Sequence, residues 1–308
     1  MAHAQVGIRP ADGLPLPWEA ARLRRLEGLA ALAGYETAAE AAGAPALAVG
    51  LGAGGGQTVE RDGLPLADWA RDGDGLRIGL HEPDLAEEGF IAALADAGVD
   101  PRRAGRFSAL AEDEAALRAA LPAAATVQPG LPGEWWVANA EGADHPTLDS
   151  ELRPPERVLG ARLAAAGATV ATAESCTGGG IAERLTAVPG SSAYVDRGWV
   201  TYTNAAKEAQ LGVPGGVLDK HGAVSEPVAR AMVQGALERS PAGLALAVTG
   251  IAGPGGGSAA KPVGTVWIGA GRRGCEPEAR CFHFPGSRGE VRWRTVNAAI
   301  AMALELVG

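Results

Sequence analysis

The chain has 308 residues, 47% apolar and 20% charged, with a formal net charge of −9, the profile of a globular protein long enough for two domains of ordinary size. The charge is uneven: residues 1–150 hold 11 arginines, no lysine and 23 acids, whereas residues 151–308 hold 16 bases against 13 acids. An acidic first half without a basic run argues against a nucleic-acid surface, and no apolar run approaches the roughly 20 residues that span a bilayer.

The N-terminus lacks a charged segment followed by an apolar one, so no secretory signal is expected. Three cysteines, Cys176, Cys275 and Cys281, have no metal-ligand spacing and no even count for a disulfide framework. The expectation is a soluble, cytoplasmic protein in a reducing setting, without metal or cofactor.

In the first half, leucines at every third position from Leu23 to Leu32 predict a helix over Trp18–Ala33. Strands are predicted at Ala46–Leu51 and Gly75–Leu80, helices at Leu85–Ala97 and Glu112–Leu121, and a last strand at Trp135–Ala138. The glycine-rich Gly50–Gly56 is read as a loop. No lysine stands there for a phosphate, and Gln57–Gly63 leads into another turn rather than a helix. Periodicity fades between Leu131 and Pro155, which places a boundary near residue 150. Residues 1–150 are thus expected to form a smaller α/β domain.

The second half reads more sharply. Pro154-Pro155 opens a helix to about Ala166. Ala168–Ala173 is a buried strand, the loop Glu174-Ser175-Cys176-Thr177-Gly178-Gly179-Gly180 follows, and a helix starts at Ile181. A strand at Tyr194–Thr203, a helix capped by Asn204 and stopped by Gly212, and a helix opened by Ser225 come next. Leu244–Thr249, Val263–Ala270 and Ala279–Phe284 are strands, the last two antiparallel to each other. Ser287 and Glu290 form a capping box for the final helix. The expected architecture of residues 151–308 is a three-layer α/β/α domain around a mixed, mostly parallel sheet.

Hydroxyls and glycines between a strand and a helix suit an anion site or acyl transfer. Only Lys207, Lys220 and Lys261 occur in an arginine-rich chain. Lysine, unlike arginine, can lose its charge when desolvated and serve as a base. Gly250–Gly257 lets backbone approach a ligand closely. Arg288, at the start of the last helix, is the first choice for a phosphate, with Arg292 second.

Five ordered blocks resemble the C-terminal domain of the CinA family, the nicotinamide-nucleotide amidohydrolases, over roughly half the chain, about residues 155–308. They are Ala173–Gly179, Gly198–Lys207, His221–Pro227, Thr249–Pro254 and Lys261–Trp267. The resemblance implies hydrolysis of the carboxamide of nicotinamide mononucleotide to nicotinate mononucleotide and ammonia. It implies Ser175 as nucleophile, Lys207 as general base and Tyr202 as the relay or orienting group between them.

Backbone N–H groups of Cys176, Thr177, Gly178 and Gly179 would stabilise the oxyanion, and Thr249, Gly250 and Arg288 would contact the substrate. Glu174 and Glu226 would hold loops. The chain departs from the family at Gly255, where an acid is common, and in its first half, which does not show the motifs of the molybdopterin-binding-like domain found in longer members. That half is at most a degenerate relative of it. A homodimer or higher oligomer is expected. The competing readings are a non-catalytic nucleotide-binding module and a partner-binding protein that uses its acidic half.

Overall fold

The computed structural model describes residues 132–308 throughout. From the first 131 it describes segments 5–8, 25–26, 28–30, 36–37, 47–51, 57–61, 64–72, 75–80, 86–97, 102, 106–111 and 114–130. Of the helix expected over Trp18–Ala33, residues 25–26 and 28–30 are helical; the rest lies outside the described residues, as does most of the Gly50–Gly56 stretch.

Six strands of the first half form one sheet: β1 (Gln5–Ile8), β2 (Glu36–Thr37), β3 (Leu47–Leu51), β4 (Gln57–Arg61), β5 (Leu64–Asp72) and β6 (Gly75–Leu80), in the order β2-β1-β3-β6-β5-β4. Helix α1 (Ala86–Asp96) buries Phe90 and Leu94 in one cluster with Trp69 and Ile78. The stretch from Gln57, read as leading into another turn, supplies β4, paired antiparallel with β5. The described β4 side chains are exposed or half-buried, so no apolar alternation marks the strand.

A second, antiparallel sheet joins β7 (Arg106–Leu110), β8 (Thr126–Pro129) and β9 (Glu134–Ala138) in the order β7-β9-β8, with α2 (Glu114–Ala119) beside it. Leu117, Val127 and Val137 share its core.

Residues 153 onward build the expected three layers. The sheet runs β11-β10-β12-β13-β14, from β10 (Val170–Glu174), β11 (Val195–Val200), β12 (Leu244–Gly250), β13 (Thr265–Arg272) and β14 (Glu278–His283). Strands β11, β10 and β12 pair in parallel; β13 runs against them and β14 against β13. The sheet is mixed, with four of its five strands pointing one way.

One face is covered by α3 (Pro155–Ala165), α4 (Gly180–Thr186) and α8 (Arg288–Val307), whose Leu159, Leu163, Ile181 and Ile300 pack on Leu246, Val248 and Ile268. The other carries α5 (Asn204–Leu211), α6 (Gly215–His221) and α7 (Glu226–Glu238), with Leu211, Leu218, Val228 and Met232 against Ala245 and Ala247. Side-chain faces so apolar on both sides explain the unbroken hydrophobic run of β12. Gly235 is required where α7 crosses α5, because a Cβ there would lie 2.0 Å from the Leu211 carbonyl oxygen.

Two details differ from expectation. The cap of α5 is Thr203, whose Oγ1 accepts from the Ala206 N–H at 3.1 Å, and Asn204 is the first helical residue. Helix α6 was not expected, because Gly215 and Gly216 open it and mask its helical signal. The capping box of α8 is present, with Glu290 accepting from the Ser287 N–H at 2.8 Å.

Buried charges join the two halves. Glu134 of β9 pairs with Arg25 and lies 3.8 Å from Arg184 of α4, which also pairs with Glu156 of α3. Asn297 of α8 accepts from Arg184 at 3.2 Å and donates to the Pro132 carbonyl at 2.8 Å. Among the described residues, no helix is long and apolar enough to cross a membrane.

Candidate active site

Strand β10 ends at Glu174, and the ladder continues for one residue, because the Ser175 N–H still donates to the Val248 carbonyl at 3.0 Å. The chain then turns tightly: the Gly178 N–H donates to the Ser175 carbonyl at 3.1 Å. Gly178 and Gly179 have φ of +62° and +97°, a left-handed region in which a Cβ is penalised. This turn lifts Ser175 out of the sheet at the ends of the central strands.

Lys207 approaches from the other layer. One turn into α5 its side chain crosses the end of the sheet, with 1% exposure, and its Nζ donates to Ser175 Oγ at 3.0 Å and to the Thr201 carbonyl at 2.8 Å. The Thr201 N–H in turn donates to the Glu174 carbonyl at 2.7 Å, so the lysine's anchor is pinned to the strand that leads into Ser175. Both hydrogen bonds of Nζ go to uncharged oxygens, and burial pushes its pKa below the ordinary lysine value, only partly opposed by Cys176. With neither Nζ bond on a carboxylate, burial favours the neutral form of this lysine.

Tyr202 does not stand between the two. It is 57% exposed and its hydroxyl accepts from Arg288 Nη2 at 3.0 Å, while Ser175 and Lys207 meet directly. The structure thus brings Ser175 and Lys207 together directly and places Tyr202 outside the expected relay position, beside Arg288.

The loop also narrows the set of backbone donors. The Gly179 N–H points to Glu174 and the Gly178 N–H closes the turn, so neither is free for an oxyanion as expected. Of the other loop N–H groups, those of Cys176, Thr177 and Gly180 take part in neither of these bonds. The Cys176 thiol is buried and burial pushes its pKa up to about 12, which makes it an unreactive packing group.

Thr249 Oγ1 donates to the Ala223 carbonyl at 2.8 Å, so its hydroxyl holds a neighbouring loop rather than facing a substrate. Gly250 is glycine because a Cβ would lie 2.7 Å from Val266 Cγ2; the need is packing against β13. Arg288 stands at the mouth, with Nη1 on the Gly253 carbonyl at 2.9 Å and Nη2 on Tyr202. Arg292 Nη2 is committed to the Thr177 carbonyl at 2.6 Å.

Of the two acids, Glu174 holds the loop that follows Ser175, whereas Glu226 makes an ordinary surface pair with Arg230 one turn on. Lys261, the third of the scarce lysines, ties the Gly250–Pro262 loop down through the His221 and Val224 carbonyls at 3.1 and 2.7 Å. Its target carbonyls, like that of Thr201, are backbone groups that leave no residue-type signal in a sequence.

Residues 153–307 match the family described as the CinA C-terminal domain. A nicotinamide-nucleotide amidohydrolase PncC from Pseudomonas putida is 53% identical over 148 residues, 48% of this chain and 92% of that protein. A CinA-like protein from Akkermansia muciniphila is 42% identical over 264 residues, 80% of this chain and 58% of its own length, so the similarity reaches beyond residue 153 into the first half. The chain spans about a third of another CinA-like relative, from Mycolicibacterium vanbaalenii, matched at 53% identity over 44% of this chain. A crystal structure of the competence/damage inducible protein CihA from Agrobacterium tumefaciens is 47% identical, covering 50% of this chain and 96% of that one with a TM-score of 0.48. With half its length matched, from just before α3 to the end of the last helix, the chain belongs to the CinA C-terminal domain family.

Proposed function

We propose that the chain is an amidohydrolase acting on the carboxamide of nicotinamide mononucleotide or a closely related pyridine nucleotide. The observation that carries this reading is the direct contact of Lys207 Nζ with Ser175 Oγ at 3.0 Å inside a buried site. Deprotonated Lys207 takes the Ser175 proton as Oγ attacks the amide carbon. The oxyanion is met by the N–H groups of Cys176 and Thr177. Lys207 passes the proton to the leaving nitrogen, ammonia departs, and water, with Lys207 again as base, hydrolyses the acyl-serine to the free carboxylate.

The substrate's other parts also find partners at the mouth. The exposed large hydrophobic side chains among the described residues are Val200, Tyr202 and Val263. Val200 flanks the Gly179 turn, Val263 packs beside Gly253, and Arg288 bonds both Gly253 and Tyr202. An apolar rim with an arginine at its edge suits an aromatic ring carrying an anionic tail. In this role Arg288 exchanges a carbonyl and a phenol for phosphate oxygens, and Tyr202 orients the substrate from outside. The relative named as a nicotinamide-nucleotide amidohydrolase supports the same substrate class.

Ammonia release from nicotinamide mononucleotide, followed for the wild type, Ser175→Ala and Lys207→Met, tests the reading. Turnover by the wild type and its loss in both variants is expected. No release by the wild type from any pyridine carboxamide in a panel, or full turnover by Ser175→Ala, would overturn it.

A further inference from the structure

The side chain of Glu174, the last residue of β10, has no solvent exposure. Burying a carboxylate so deeply is costly unless donors fill its lone pairs. Four do. One oxygen accepts from Thr177 Oγ1 at 2.6 Å, from the Ile181 N–H at 3.0 Å and from the Gly179 N–H at 3.1 Å; the other accepts from the Ala182 N–H at 2.9 Å.

Those three N–H groups belong to the start of α4, the positive end of a helix that would otherwise attract an anion. The anion is already supplied from inside the fold. The Gly179, Ile181 and Ala182 N–H groups are therefore not available to a developing negative charge on a substrate at Ser175, and the loop between Ser175 and Gly179 is drawn down onto Glu174 from behind. The Thr177 carbonyl is fixed from the other side by Arg292 at 2.6 Å. Held at Thr177 by both a carboxylate and a guanidinium, the segment has little freedom to rotate its peptide planes.

We propose that Glu174 is the positioning residue of the oxyanion hole: by occupying the N-terminus of α4 and the Thr177 hydroxyl, it fixes the Cys176 and Thr177 N–H groups on the side where the carboxamide oxygen gains charge. This rests on the amidase reading above. Glu174 touches no substrate; it acts through the loop.

The test uses a probe that needs the hole but not the pyridine nucleotide. An alkyl fluorophosphonate is attacked by Ser175 Oγ, a P–O bond forms as P–F breaks, fluoride leaves and the serine proton passes to Lys207. The phosphoryl oxygen occupies the hole meanwhile. Labelling rates are read by intact mass on the full chain as a function of pH, with Ser175→Ala as the blank.

In Glu174→Gln the amide NH2 opposes the N–H donors, and labelling is expected to slow by about 10²-fold, the scale of losing one oxyanion donor. The pH of half-maximal labelling should stay where it is, because Lys207 is untouched. Thr177→Val removes one of the four bonds and keeps the charge; a slowing of about 3- to 10-fold is expected, the worth of one hydrogen bond. This variant decides the matter if Glu174→Gln does not fold. Labelling of Glu174→Gln or Thr177→Val within twofold of wild type would overturn the proposal. So would slow labelling of Glu174→Gln with a displaced pH midpoint, which would mean that the lysine had moved. Absence of labelling in the wild type would overturn the amidase reading itself, and this proposal with it.

Discussion

Replacing Lys207 with methionine should remove activity, and the stability of the variant relative to wild type should rise as pH falls, over a window whose lower end matches a kinetic pKa. Lys207 is buried with both Nζ bonds on uncharged oxygens, and burial lowers its pKa in the fold. In the unfolded chain a lysine titrates near pH 10.4. Above that value neither state holds the proton and the lysine carries no charge penalty. As pH falls, the unfolded chain binds a proton that the fold resists, and wild-type stability drops by about 1.4 kcal/mol per pH unit. The drop ends at the folded-state pKa, below which both states are protonated and the penalty is constant.

Methionine, of similar length and without charge, escapes this penalty. The stability difference between Lys207→Met and wild type, from urea unfolding between about pH 6 and 11, should therefore slope over one window and be flat on either side. The lower break is the folded pKa of Lys207. The acid limb of kcat/KM for the wild type reports the same group in the free enzyme, so the two must coincide. A difference curve flat across the whole range, or a break more than about one unit from the kinetic limb, would refute the assignment of Lys207 as a desolvated base.

Three further outcomes follow from particular contacts. Tyr202→Phe removes a hydroxyl bonded to Arg288 but not the Lys207–Ser175 contact, so kcat should stay within about tenfold of wild type; a loss of three decades would return the tyrosine to the proton path. Arg288→Ala should raise KM for the mononucleotide by about 10- to 100-fold, the worth of a hydrogen bond to a charged group, and leave the unphosphorylated nucleoside unaffected. Equal losses for both would remove Arg288 from the phosphate. Glu134→Ala leaves Arg25 buried without its paired acid and should destabilise the fold by about 3–5 kcal/mol in urea unfolding, with kcat of the folded protein retained.

Where apolar pattern and punctuation coincide, the fold was legible. β10 and β12 are short apolar runs bounded by glycine, and Ser287 with Glu290 announces α8 by a local exchange of bonds. β4 was missed because its described side chains face mainly outward, and α6 because two glycines open it. Asn204 and Thr203 are neighbours with equal capping chemistry, and only the entry angle of α5 chooses between them.

At the site the limits were different. Ser175 and Lys207 are 32 residues apart, and their pairing came from the resemblance of ordered blocks; neither spacing nor residue type contains it. Thr249 and Gly250 lie in one of those same blocks, yet the hydroxyl of the first bonds Ala223 and the second makes room for Val266. Arg288, chosen for its charge at a helix start, bonds Gly253 and Tyr202. A motif records that a residue is needed, and both packing and chemistry create such needs.

The scarcity of lysine has a physical counterpart at two of the three positions where it is kept. Lys207, as the base of the proposed reaction, would shed its proton, which a guanidinium cannot do in water or protein. Lys261 meets the His221 carbonyl at the end of α6 and the Val224 carbonyl beyond it with a single nitrogen, at 3.1 and 2.7 Å, where a planar fork would need a wider target. The arginines, by contrast, occupy sites with several acceptors spread in a plane: Arg184 reaches Glu156 and Asn297, and Arg288 reaches Gly253 and Tyr202. The division of labour between the two cations thus follows from donor geometry and acidity.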